Sequence, residues 1–408
     1  MAQAGATWVR RNAVVWSQVE PTEGARNWQA LAGLENELAG AGKRGLQVIL
    51  IVRGTPSWAQ AVAGKACGPI RPDKLTAFGA FMRDLAVRYS AAPYGVRYWE
   101  MWNEPDVDAA LVPGESVFGC WGNKDDPYYG GGNYAEMLKV AYAQIKAADP
   151  QGQVLVGGLL LDCNPALTDR CPNGRPAMFL EGILRAGGGD SFDGVAFHAY
   201  DYYGLGGAAY ANPGWNTSAK TTGPVLAAKA DFLQQTLAAH GVSGKYLMNT
   251  ESALLCVSCA NDPAFESAKA WYVPQVYATA LANGLRANVW YSALGWRNSG
   301  LLAPDLTSRP AYAAYRTAAA HMGGAVYEGA LAAQDLGGAS GVVGHKLRRN
   351  DDQLWLLWSA DGAVHQVTLA RTPAAVVDAV GATVAIGPTL AVGQKPLYVI
   401  WGPSGRLP

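Results

Sequence analysis

The sequence predicts an α/β chain: a TIM (β/α)8-type barrel that lacks its first βα unit, followed by a small C-terminal antiparallel β domain. Three observations predict it. Apolar, β-rich runs alternate with helical patterns over about three hundred residues, the order that parallel strands joined by crossover helices require. No Gly-x-Gly-x-x-Gly or Gly-x-x-x-x-Gly-Lys-Ser/Thr turn follows any of these strands, which disfavours an open nucleotide-binding sheet and leaves a barrel. After Gly323-Gly324 the helical pattern stops and short alternating segments take over. The expected division is a barrel domain over 1–322 and a β-sandwich-like domain over 323–408.

The first strand spans Thr7 to Val15, and a helix follows from about Trp28 to Arg44, with Leu31, Leu34 and Leu38 on one face and Gly45 as its stop. The run Leu46 to Val52 is apolar throughout, as a strand covered on both faces must be. Asp73 to Tyr89 reads as a helix, and Val96 to Trp102 as a strand that Asn103-Glu104-Pro105 closes, because proline cannot donate to a ladder. Beyond a long loop rich in glycine and aromatic residues, Asn133 with Glu136 three residues on makes a capping box for the next helix. Strands then follow at Gln153 to Leu160, Asp193 to Ala199, Lys245 to Thr250 and Arg286 to Ser292. They are separated by helices at Pro176 to Ala186, Pro224 to His240 and Phe265 to Asn283, where Pro274 should introduce a kink, and the last helix is Pro310 to Met322. Seven strands are legible, and too few residues precede Thr7 for an eighth with its helix. The chain is either truncated or open at that edge, with strand edges bared at Thr7 and Arg286.

The formal net charge is zero, so nothing in the charge balance points to a nucleic acid or an anionic membrane as partner. No apolar stretch is long enough to span a bilayer, and the basic-then-apolar pattern of a signal peptide is absent from the start of the chain. Fourteen Trp and nineteen Tyr are many for 408 residues, and aromatic faces stack on flat apolar surfaces, sugar rings included, as well as filling cores.

Six cysteines lie in segments read as loops, an even number that suggests disulfides and an oxidising, extracellular or periplasmic compartment. Cys163 pairs with Cys171, Cys256 with Cys259, and Cys67 with Cys120 by elimination. The Cys256-Val-Ser-Cys259 spacing also suits zinc, but zinc wants a second pair or spaced histidines nearby, so no metal is expected.

The motif that carries chemistry is Trp99-Glu100-Met101-Trp102-Asn103-Glu104-Pro105. It sets Glu104 at a strand's C-terminal end, which in a barrel is the rim where loops from several strands gather their groups. Glu251, in Tyr246-Leu247-Met248-Asn249-Thr250-Glu251, occupies a similar setting. Two carboxyl groups facing one pocket are the minimum equipment for cleaving a glycosidic bond. Taken in order with Trp8-Val9-Arg10, Trp16-Ser17-Gln18-Val19-Glu20-Pro21 and Phe197-His198-Ala199-Tyr200, these segments make the chain resemble the retaining glycoside hydrolases of clan A, most closely family 39 and its neighbours in family 5. The likeness covers most of residues 5–322.

The resemblance implies Glu104 as acid/base, Glu251 as nucleophile, Asn103 as the residue that holds the sugar 2-hydroxyl, a carbohydrate substrate and no cofactor. Physical reasoning agrees with the first two. A proton donor at neutral pH needs a pKa raised by apolar or anionic surroundings, here Trp102 and the neighbouring carboxylate, whereas the nucleophile needs hydrogen bonds to its charge, here from Arg10 and Tyr200. Strand alternation sets Glu100, Trp102 and Glu104 on one face, so Glu100 is a competitor for Glu251 unless it is buried as a structural ion against Arg10 or Arg53. His198 orients a carboxylate, touches the sugar or is a satisfied core histidine. Trp58, Trp290 and Trp296 are candidate sugar platforms or packing residues. The alternative to an enzyme is a barrel that binds carbohydrate without turnover, or a truncated hydrolase fragment.

Overall fold

The structure, a computed structural model, describes residues 1–402. The chain forms two compact units, one made of Thr7–His198 with Lys229–Glu251, the other of Met1–Ala6, Ala199–Ala228 and the residues from Ser252 onward.

In the first unit the order is β1 (Trp8–Val15), α1 (Trp16–Val19), α2 (Ala32–Gly42), β2 (Gln47–Arg53), α3 (Leu75–Tyr89), β3 (Tyr98–Asn103), α4 (Gly131–Ala148), β4 (Gln153–Leu159) and α5 (Phe179–Arg185), followed by the start of β5 (Gly194–Tyr203). Strands β1 to β5 pair in sequence order and parallel, the pattern of successive βα units. Burial explains the sequence patterns. Val48 to Val52 and all of β3 are buried, as strands covered on both faces must be, whereas α3 buries a single stripe that includes Phe78, Phe81, Met82, Leu85 and Tyr89. One expectation fails here: α4 starts at Gly131 with Gly130 before it and no side-chain cap, and Glu136 pairs with Lys139 at 2.7 Å instead of closing a capping box with Asn133. Tight packing explains the early start, since a Cβ at Gly131 would lie 2.1 Å from the Phe179 carbonyl oxygen.

Strand β5 ends in the second unit, which adds a small antiparallel extension, β6 (Tyr210–Asn212) and β7 (Thr217–Ser218), that the sequence did not suggest. Helix α6 (Val225–Ala239) and strand β8 (Tyr246–Leu255) each run through both units, and α7 (Pro263–Ala282), β9 (Ala287–Trp290) and α8 (Pro310–Met322) follow in the second. Helix α7 continues through Pro274. Strand β8 pairs with β5 and β9, so the seven strands expected from the sequence are joined in the order β1-β2-β3-β4-β5-β8-β9, with β1 and β9 at the two ends.

The remaining strands of the second unit are β10 (Val326–Ala330), β11 (Val342–Arg349), β12 (Asp352–Ser359), β13 (His365–Thr368), β14 (Ala375–Asp378), β15 (Thr389–Val392) and β16 (Leu397–Trp401). They form a five-stranded antiparallel sheet, β10-β11-β12-β16-β14, and a two-stranded one, β13-β15. Both sheets feed one core that includes Trp355, Leu357, Val367, Leu390, Val399 and Trp401. Trp355 and Trp401 meet edge to face at 4.8 Å across the β12–β16 pair, the kind of cross-strand contact that fixes register.

The three expected disulfides, Cys67–Cys120, Cys163–Cys171 and Cys256–Cys259, are formed. Among the described residues, no helix is long and apolar enough to cross a membrane.

Candidate active site

The end of β3 is built around a backbone irregularity. Met101 lies opposite Val156 and Asn103 opposite Gly158, but between them Trp102 takes φ 64° and Glu104 takes φ 50°, left-handed values that are uncommon for residues with large side chains. The turn at Trp102 breaks the two-residue alternation. Its ring, expected to face the same side as Glu100 and Glu104, instead packs against Phe78 of α3 at 5.6 Å and Trp121 at 5.0 Å. Trp102 is therefore part of the helix-side packing and not the apolar neighbour of Glu104 that the alternation implied.

Three groups hold this geometry. At Gly157 a Cβ would stand 2.1 Å from the Met101 carbonyl oxygen and 2.6 Å from that of Trp102, so only glycine fits beside the irregular turn. The buried Tyr134 hydroxyl donates to the Met101 carbonyl and accepts from the Gly157 N–H at 2.9 Å, serving both strands where the ladder is interrupted. The Glu104 N–H donates to the Gly158 carbonyl at 2.9 Å.

Past this turn, Asn103 and Glu104 join Glu100 in one buried cluster centred on Arg10 of β1. The Arg10 guanidinium donates to both oxygens of the fully buried Glu100, to Asn103 Oδ1 at 2.7 Å and to Glu251 Oε1. Glu100 also accepts from the Gly158 N–H at 2.9 Å, so this carboxylate is a structural ion whose partner is Arg10. Arg53, the other partner considered, donates to Asn12 Oδ1 at 2.7 Å.

His198, in β5, bridges the remaining carboxylates. Its Nδ1 lies 2.7 Å from Glu104 Oε1 and 3.6 Å from Glu251 Oε2. The ring seats against Gly158, where a Cβ would stand 2.2 Å from Nε2. One ligand atom from each of Glu104, His198 and Glu251 falls within 4.8 Å of the others, a spacing that also suits a metal ion. Two of the three are already engaged, Glu251 by the Arg10 guanidinium and Glu104 by the imidazole, which makes the cluster a better handler of protons than of a cation.

Burial sets the electrostatics. Loss of hydration raises the Glu104 carboxyl pKa to about 7 against the pull of Arg10 and Lys229, and lowers that of the His198 imidazole to about 4. Glu104 thus holds a proton into the neutral range while His198 is uncharged there. Asp106, which carries no sequence signal, is also raised to about 7 by burial, and it accepts from the N–H groups of Leu160 and Leu161 at 2.8 Å each. Lys229, equally unmarked, donates to the carbonyls of Leu160 and His198, both at 2.8 Å. Asp106 and Lys229 fix the backbone just past the end of β4, and Lys229 that of His198 within β5.

The aromatic candidates make the following contacts. Trp58, in the first unit, packs edge to face on Trp16 at 5.2 Å, donates to the Glu20 carbonyl at 3.0 Å and carries the Lys74 ammonium over its ring. Tyr200, Trp290 and Trp296 belong to the second unit. There Tyr200 meets Tyr291 and Trp296 at ring distances of 6.4 and 6.3 Å, and Trp290 is buried with its N–H on the Ser299 carbonyl. Trp296 is 45% exposed beneath the Arg297 guanidinium.

No protein-family model and no curated protein matches the chain. Solved structures do. The fold is similar over 98% of the chain to 76% of a family 39 glycoside hydrolase from the gut symbiont Bacteroides cellulosilyticus WH2, at TM-score 0.70 and 16% identity. It is similar over 98% of the chain to 90% of a family 30 endoxylanase from Clostridium papyrosolvens C71, at TM-score 0.61 and 15% identity. A family 39 β-xylosidase from Caulobacter crescentus matches 97% of the chain over 89% of its own length, at TM-score 0.58 and 14% identity. The chain shares the α/β barrel fold of these structures.

Proposed function

We propose that the protein is a retaining glycoside hydrolase that cleaves β-linked oligo- or polysaccharides by double displacement, with Glu104 as acid/base and Glu251 as nucleophile. The observation that carries this reading is the pairing of the two carboxyl groups, whose ligand atoms approach within 4.8 Å while their partners differ in kind. Retaining enzymes hold their carboxyls about 5 to 5.5 Å apart, whereas inverting ones leave about 6.5 Å or more for a water. Glu104 is buried against a neutral imidazole and keeps its proton; Glu251 is ion-paired with the Arg10 guanidinium.

In the first step Glu251 attacks the anomeric carbon while Glu104 gives its proton to the departing oxygen, leaving a glycosyl ester on Glu251. In the second Glu104, now a carboxylate, takes a proton from water, which displaces Glu251 and restores the starting configuration. Asn103, oriented by Arg10, holds the sugar 2-hydroxyl. The three disulfides support residence in an oxidising compartment. The division into a catalytic barrel over 1–322 and a β domain over 323–408 belongs to the same reading.

The test is turnover of a panel of aryl β-glycosides, with xylosides first because similar folds include a xylanase and a xylosidase. Glu251→Ala should be inactive, and azide should restore turnover as a glycosyl azide of inverted configuration. Sugar affinity by calorimetry without hydrolysis by the wild type would favour a binding protein instead.

A further inference from the structure

The segment that leaves Glu104-Pro105 and returns at Trp121 is long, yet it is held at many points. Trp121 N–H donates to the Pro105 carbonyl and Gly122 N–H to that of Val107, at 3.1 and 3.0 Å, so the returning end lies parallel beside the outgoing one. The disulfide Cys67–Cys120 and the Cys67 N–H bond to the Gly114 carbonyl staple it to the loop after β2. Lys65 Nζ adds bonds to the carbonyls of Ala109 and Val112 at 2.6 and 2.9 Å, and Gly114 sits so close to Gly64 that a Cβ would overlap its carbonyl.

The returning limb of this loop, just before Cys120, reaches the candidate site. Asn103 Nδ2, on the side chain that also accepts from Arg10, contacts the Val117 carbonyl at 3.4 Å, and Gly119 N–H donates to the Asn103 carbonyl. Next to that tether, Val117 and Phe118 are 54% and 39% exposed, while Phe118's own N–H is fixed by Ser116 Oγ at 3.1 Å. An aromatic ring left in water on a firmly anchored loop, beside the catalytic strand, gains most by covering an apolar face of a ligand.

We propose that Phe118, supported by Val117, is the platform for the sugar on the leaving-group side of the scissile bond, so that this loop selects oligosaccharides over substrates with a small leaving group. The inference rests on the proposed hydrolase reading. The side is assigned because the loop grows from the strand that bears the acid, and the acid must meet the leaving oxygen. A pyranose offers one face of C–H groups that suits such a ring, and a pinned platform loses little freedom when it binds.

The experiment compares kcat/KM for a β-glycosyl fluoride and a β-linked disaccharide of the same sugar. Phe118→Ala should lower the disaccharide value about five- to tenfold, the worth of one aromatic contact, and leave the fluoride within about twofold. Phe118→Trp should restore the disaccharide value, which a folding defect would not permit. Equal losses on both substrates, or an unchanged disaccharide value, would overturn the assignment. A wild type that hydrolyses neither substrate would overturn the hydrolase reading itself, a failure visible before any variant is made.

Discussion

His198 Nδ1 and Glu104 Oε1 share a hydrogen bond of 2.7 Å inside a site from which water is largely excluded. Burial pushes the two groups in opposite directions, the carboxyl up to about 7 and the imidazole down to about 4. Between those values the pair holds one proton. An acid whose pKa is raised keeps its proton below that value and loses it above, so kcat/KM should fall as pH rises through about 7. Replacing Glu104 with Ala and assaying an activated aryl glycoside, which needs no proton donor, should remove that alkaline limb; a limb that persists assigns it elsewhere.

Arg10 is in direct contact with both Glu100 and Glu251. Arg10→Met removes the cation that Glu100 and Glu251 share and should cost about 3 to 5 kcal/mol of stability in urea unfolding. Arg10→Lys keeps the charge but cannot span three acceptors. We expect a folded protein whose kcat/KM is down about a hundredfold, the scale set by misplaced catalytic groups.

Gly158 touches three parts of the machinery: its N–H serves Glu100, its carbonyl serves Glu104, and its missing side chain makes room for the His198 ring. Gly158→Ala must displace that ring. Thermal melts should register a loss of about 1 to 3 kcal/mol from overpacking, and kcat should fall more than KM changes. Wild-type kcat in this variant would mean the imidazole does not position Glu104.

Tyr134→Phe deletes a single hydroxyl and strands the Met101 carbonyl and the Gly157 N–H. The buried unpaired groups should cost about 1 to 3 kcal/mol by denaturant melts. If the turn at Trp102 also relaxes, near-ultraviolet circular dichroism from the Trp102–Trp121 contact should change together with kcat.

Much of this was legible in the chain. The buried run Val48 to Val52, the stripe of α3 and the proline after Glu104 all act locally, so pattern located these elements and set Glu104 just past the end of β3; Glu251, expected just past a strand's end, instead lies within β8, which runs on to Leu255. Arg10 was legible as a partner because a buried Glu100 demands one. What escaped has longer range. The reversal at Trp102 depends on Gly157 and Tyr134, residues of other elements, and within β3 the pattern simply alternates. Asp106 and Lys229 bond to backbone N–H and carbonyl groups of distant segments, which leave no mark in a sequence. The capping box at Asn133 failed because close packing at Gly131 let α4 begin two residues early. Trp58 lies just after a strand end, and its edge-to-face contact with Trp16, a residue distant in sequence, is of the long-range kind that local pattern does not show.

The adjacent glycines of β4 answer two separate demands, Gly157 that of the irregular turn in β3 and Gly158 that of the imidazole. In any chain of this architecture, the carboxylates could survive a substitution at either position while the angle between them drifted. If Glu104 and Glu251 carry the proposed reaction, bulk at either glycine would disturb their alignment while leaving both acids in place.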